Sequence, residues 1–144
     1  MWQRVQTLYL AVATLLIASL FWSDVALVAA PDGFVEHISY TSKPVYLVWL
    51  ILLTLFQVLS LGGFKWRMKQ FRVAVVTAIL CIGFQLWLGV DYFRLGDGIS
   101  FSWTALFPFA ACVLDCLACR AILQDEALVQ SASRLRLPRS SKKH

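Results

Sequence analysis

Residues 44–93 read PVYLVWLILLTLFQVLSLGGFKWRMKQFRVAVVTAILCIGFQLWLGVDYF. Two apolar stretches, 44–64 and 73–93, flank a short segment carrying Lys65, Arg67, Lys69 and Arg72. A bilayer core about 30 Å thick needs roughly 20 apolar residues in a helix, and each stretch supplies that length. Pro44 opens the first at a natural helix start, and Gly62 and Gly63 close it. The short basic connector forces the two helices to pack antiparallel. Period-2 alternation is absent, which excludes the strands of a membrane barrel.

Two more spans lie outward of this pair. Residues 5–22 hold no charge after Arg4, and residues 101–123 form a fourth span containing Pro108 and Asp115. Pro108 is predicted to kink that helix, because a proline inside a helix removes one backbone hydrogen bond. The composition agrees: the chain is 60% hydrophobic and 15% charged, whereas soluble domains are about half apolar and a quarter charged. A chain of 144 residues cannot hide that much apolar surface from water. Residues 1–144 are therefore predicted to form a single integral-membrane domain. The first span has the charged start of a secretory leader, with cleavage after Ala30 as the rival reading. Trp22 and Asp24, between the apolar run and the small residues, argue that it stays as a span.

Charge orients the bundle. Eleven of the thirteen Lys and Arg residues fall on one side of these spans. They are Arg4, the four of the connector, Arg120, Arg134, Arg136, Arg139, Lys142 and Lys143. Only Lys43 and Arg94 fall on the other side, with Asp24, Asp32, Glu36, Asp91 and Asp97. By the positive-inside rule both termini are predicted to be cytoplasmic. Trp22, Tyr46, Tyr92 and Trp103 gather near the outer boundary and Trp2 and Trp66 near the inner one, where amphipathic rings favour the interface. The predicted fold is an all-α membrane protein, a four-helix transmembrane up-down bundle with N- and C-termini cytoplasmic and an amphipathic C-terminal helical extension. That extension covers 124–137, Pro138 stops it, and the basic end 138–144 is expected to be disordered. The outer connector, about 23–43, is read as a loop too small for a domain.

Three segments carry a resemblance: MWQRVQTLYL (1–10), FKWRMKQFR (64–72) and RAILQDEALVQSASRLR (120–136). Together they resemble a bacterial family of small four-helix inner-membrane proteins known only as a domain of unknown function. Gln3, Arg4, Val5 and Gln6 match its Gln-Arg-hydrophobic-Gln opening. Asp125, Glu126, Leu128, Val129, Arg134, Leu135 and Arg136 match its closing segment, from which Gln124, Gln130 and Ser133 depart. The resemblance implies four spans in a bacterial inner (cytoplasmic) membrane and supplies no activity.

Few residues carry chemistry. Cys112, Cys116 and Cys119 have the spacing of a radical-enzyme iron–sulfur motif, but they lie inside an apolar helix, where i, i+4 and i+7 share one face. Small cysteines there suit helix packing in lipid. Asp115 is the informative residue, because an acid at a helix centre costs on the order of 2.5–3.5 kcal/mol. Counted from the inner side, Gln57, Thr14 and Cys81 come to similar depth. Asp115, Gln57, Thr14 and Cys81 are therefore a candidate intramembrane polar layer, with Asp115 facing the interior and bonded to Gln57 or Thr14. His37, with Asp32, Glu36 and Asp97 nearby in sequence, is read as part of a solvated loop rather than a metal site.

No catalytic set, metal site or cofactor is expected. Arg4, Lys65, Arg67, Lys69, Arg72, Arg134 and Arg136 are candidate contacts to a partner or to anionic lipid headgroups, at about 1 kcal/mol each near the surface. Nucleic acid is not expected as a partner. The preferred expectation is a non-enzymatic accessory or scaffold component of a membrane assembly, bound to a membrane-protein partner or to its own copies. The alternative is a small transporter or channel using Asp115.

Overall fold

The computed structural model describes residues 2–96 and 98–136. The expected basic end at 138–144, with Leu137 and Asp97, lies outside the described residues. Four helices carry the fold: α1 (Trp2–Ser19), α2 (Pro44–Gly62), α3 (Arg67–Leu95) and α4 (Phe107–Arg136). Each belongs to a helical stretch long and apolar enough to cross a membrane. The helices pack as a ring: α1 against α2 and α4, and α3 against the same two. α1 and α3, like α2 and α4, stand across the diagonals.

Local chemistry sets the helix ends. Pro44 is the first residue of α2, where its missing N–H costs nothing. A single 3-10 turn, Gly63–Lys65, joins α2 to α3. A Cβ at Gly63 would lie 3.4 Å from the Cα of Gln70, so a residue without a side chain suits this close crossing. Arg67, Lys69 and Arg72 consequently sit on the first turns of α3 rather than in a loop. The fourth span also starts later than 101. Residues Ile99–Phe101 are a strand, Trp103–Leu106 a 3-10 turn, and α4 begins at Phe107. Pro108 is thereby in the first turn of α4, where no kink is required.

The connectors between α1 and α2 and between α3 and α4 differ from expectation. Asp24–Ala29 (β1), Val35–Ser39 (β2) and Ile99–Phe101 (β3) form an antiparallel sheet of order β2-β1-β3. Pro31, Asp32 and Gly33 make the hairpin turn between β1 and β2. Gly33 N–H donates to Ala30 O at 3.1 Å and Ala30 N–H to Phe34 O at 2.9 Å. Gly33 has φ 77°, the left-handed geometry that ends a three-residue hairpin loop. Val25 and Ala26 are buried, so the middle strand seals the bundle at this end.

The core divides along the bundle axis. At the sheet end it is apolar and aromatic, with Ile17, Leu20, Tyr40, Tyr46, Leu50, Leu53, Phe84 and Leu88 buried. Tyr40, Tyr46 and Trp49 surround Phe84 at centroid distances of 6.2, 6.1 and 5.9 Å. Such rings gain about 0.5–1.5 kcal/mol per pair beyond their area. The outward faces are also apolar: Leu15, Val48, Ile79 and Leu86 are each more than 60% exposed. Such outward faces are compatible with a lipid surround.

Candidate functional site

Buried polar side chains concentrate in the half of the bundle away from the sheet. They are Gln6 on α1, Gln57 and Ser60 on α2, Gln70 and Thr77 on α3, and Asp115 on α4. All four helices therefore contribute. Gln57 and Asp115 are both 0% exposed, and Gln57 Nε2 donates to Asp115 Oδ2 at 2.8 Å. Because α2 and α4 oppose each other, this bond crosses the bundle centre. Neither Asp115 Oδ1 nor Gln57 Oε1 has a further partner, and Ser60 Oγ is likewise buried without one. Gln85 Oε1 on α3 shares that state, although its residue is half-exposed.

The other candidates for the layer fall out differently. Cys81 is fully buried and packs in the core cluster with Ala78, Phe84 and Cys112. Thr14 does not reach Asp115: its hydroxyl donates to Leu10 O at 2.7 Å within α1. A threonine in an apolar helix satisfies its hydroxyl most easily on the preceding turn. Thr77 does the same to Val73 O at 2.8 Å. The three cysteines of α4 do not share one environment, since Cys112 is buried, Cys119 half-buried and Cys116 exposed.

The basic residues gather at the end opposite the sheet. Arg4, Lys65, Lys69, Arg72, Arg134 and Arg136 are exposed. Lys69 Nζ stands 4.4 Å from the ring centroid of Trp66, and residues 65–69 with Arg72 line a shallow cleft. Arg67 is different. Its Nη1 lies 3.2 Å from Asp125 Oδ2, which ties the start of α3 to α4. Beside it Gln6 Nε2 donates to Ala121 O at 3.0 Å, tying α1 to α4. Beyond Ile122, the last buried residue, α4 continues through fourteen residues, exposed apart from the half-buried Asp125 and Glu126. Leu128, Val129 and Leu135 are 58, 46 and 88% exposed there.

Sequence reasoning missed a second polar cluster at the sheet end. Asp24 Oδ2 lies 2.8 Å from His37 Nδ1, and Ser39 Oγ donates to Asp24 Oδ1 at 3.0 Å. Thr104 Oγ1 donates to Asp24 O at 2.8 Å. His37 thus stands on β2 beside Asp24, not in a loop with Asp32 and Glu36. Tyr46, fully buried, donates its hydroxyl to Asp91. The Pro-Asp-Gly turn was the available signal for the hairpin. Ser60 and Gln70 had none: a single serine inside an apolar run sets no period, and Gln70 is one more polar residue of the basic segment.

Over residues 2–135 the chain matches the model of a family described as Domain of unknown function (DUF4293). No curated protein and no solved structure matches it. The matched region takes in the sheet and all four helices, including the polar centre and the α4 extension, and the chain belongs to that family.

Proposed function

We propose that this protein is a non-enzymatic accessory component of a membrane assembly in the bacterial inner membrane, with both ends of the chain in the cytoplasm. The observation that carries this reading is the course of α4. Its 30 residues span about 45 Å, against a hydrocarbon thickness of about 30 Å. The helix is unbroken, so its last turns stand away from the bilayer rather than lying along it. One face of it carries an interrupted apolar ridge: exposed Val113 and Leu117 within the span and Leu128 and Leu135 beyond it, with Arg120, Gln124 and Ser131 between them. The partner that fits such a ridge is itself a membrane protein with a helix that leaves the bilayer alongside α4. The basic residues of the same end favour anionic lipid headgroups and, by the positive-inside rule, a cytoplasmic location.

The test is site-specific photo-crosslinking from Leu128 in native membranes. The reading predicts one stoichiometric membrane-spanning partner, lost in Leu128→Lys/Leu135→Lys while the bundle still inserts. Only lipid adducts, or soluble proteins in scattered amounts, would refute it.

A second reading has its own observation. The Gln57–Asp115 bond lies at the bundle centre with unpartnered oxygens beside it, as a transporter or channel using Asp115 would need. Asp115→Asn in reconstituted vesicles separates the two: solute flux is lost if Asp115 drives transport and unchanged in an accessory role.

A further inference from the structure

The unpartnered oxygens at the bundle centre are of a particular kind. Asp115 Oδ1 and Gln57 Oε1 belong to the same two planar groups that already meet through Gln57 Nε2 and Asp115 Oδ2. A carboxylate oxygen and an amide carbonyl oxygen only accept hydrogen bonds. Two buried acceptors left without a donor, one on each member of a bonded pair, are among the arrangements that folded proteins avoid. Exchanging the amide O and N of Gln57 does not help, because it sets Oε1 against the carboxylate oxygen now bonded. One hydrogen on Asp115 Oδ1 resolves both atoms together: Oδ1–H donates to Gln57 Oε1 while Gln57 Nε2–H donates to Oδ2.

We infer that the Asp115–Gln57 pair is a proton-binding site at the centre of the bundle, in which one proton closes a two-bond ring between carboxyl and amide. Among the described residues the surroundings supply no competing cation. α3 presents Ala74, Thr77, Ala78 and Cys81, with the Thr77 hydroxyl already donated to its own helix. α1 presents Leu10, Ala13 and Ile17, and α4 itself adds Cys112 and Cys119. Arg67 is engaged with Asp125 at the end of the bundle and Arg120 is exposed.

Access to the site is one-sided. Toward the basic end, Ser60 stands one turn along α2 with its hydroxyl buried and unpartnered, and Gln70 and Gln6 follow, also buried. Toward the sheet, Leu50, Leu53 and Phe84 fill the interior. The proton therefore exchanges with the basic end, through Ser60.

Infrared spectroscopy of the full chain in lipid vesicles at neutral pH tests the site directly. The expected result is a protonated-carboxyl C=O band in the wild type that disappears in Asp115→Asn. That variant keeps its melting temperature, because an amide at 115 closes the same two-bond ring with Gln57. Transfer to heavy water shifts the wild-type band, and Ser60→Val slows that shift several-fold without removing the band. No band removed by Asp115→Asn, in a wild-type chain that melts cooperatively, overturns the proposal. So does a sodium- or potassium-dependent rise in melting temperature that Asp115→Asn abolishes, because a metal ion would then occupy the place of the proton. A band that shifts equally fast in Ser60→Val overturns the route through Ser60.

Discussion

Removing one side of the central pair should cost more than removing both. Gln57→Leu leaves the Asp115 carboxyl, 0% exposed, with no hydrogen-bond partner, since Gln57 Nε2 at 2.8 Å is the one donor it meets among the described residues. An orphaned buried polar group costs about 1–3 kcal/mol. Asp115→Leu orphans the Gln57 amide in the same way and should cost a similar amount. The double variant places two apolar side chains across the α2–α4 diagonal, and replacing both partners by apolar groups is nearly neutral. The coupling between the sites should therefore be about 2–6 kcal/mol, above measured hydrogen bonds between membrane helices, which average roughly 0.6 kcal/mol. Reversible unfolding of all four variants in mixed detergent micelles measures each cost. Two single variants at wild-type stability, or a double variant equal to the sum of the singles, would show that the diagonal contact does not hold the helices together.

Three further outcomes are expected. A Cβ at Gly83 would come 3.1 Å from Trp49 Cη2, so Gly83→Val should push the indole off Phe84, costing about 1–3 kcal/mol; near-ultraviolet circular dichroism and thermal melting read both effects. Gly33 at φ 77° tolerates a β-branched residue poorly, so Gly33→Val should cost about 1–2 kcal/mol and speed hydrogen exchange at Ala30 while the helices stay protected. Burial pushes the Tyr40 phenol up from its usual value to about 12, against a smaller opposing pull from its hydrogen bond with Thr104. The protonated form is thus favoured by folding, so Tyr40 supports the fold below pH 10 and loses that support as pH rises from 10 to 12. Alkaline absorbance titration of the wild type against Tyr40→Phe should place the missing ionisation near 12 rather than near 10.

The helical frame was legible because lipid demands long apolar runs, and residues 44–62 are read alike from hydropathy and from the backbone. Depth counted from the basic end put Gln57 level with Asp115, and the structure has them bonded. Thr14, level by the same count, satisfies itself within α1, since counting gives height along a helix but not the direction a side chain takes. The sheet escaped notice for a related reason. β1 is six residues and β2 five, too short for alternation to stand out beside four spans, although Pro31-Asp32-Gly33 marks their turn. Pro108 signals a helix start rather than a kink, because Ile99–Phe101 is a strand and α4 begins only at Phe107. The Arg67–Asp125 bridge joins residues far apart in the chain, and only the antiparallel return of α4 brings them together.

The unbroken α4 also has a mechanical consequence. The stretch past Ile122 is about 21 Å long and rigid with the span that bears it, so it acts as a lever with its fulcrum where Arg67 grips Asp125. A tilt of span four by about 10°, well within the range seen for membrane helices, carries Arg136 sideways by about 3 Å. The bundle interior at Asp115 and whatever lies beside Leu135 are joined by one stiff rod, and a change of tilt at either end is felt at the other.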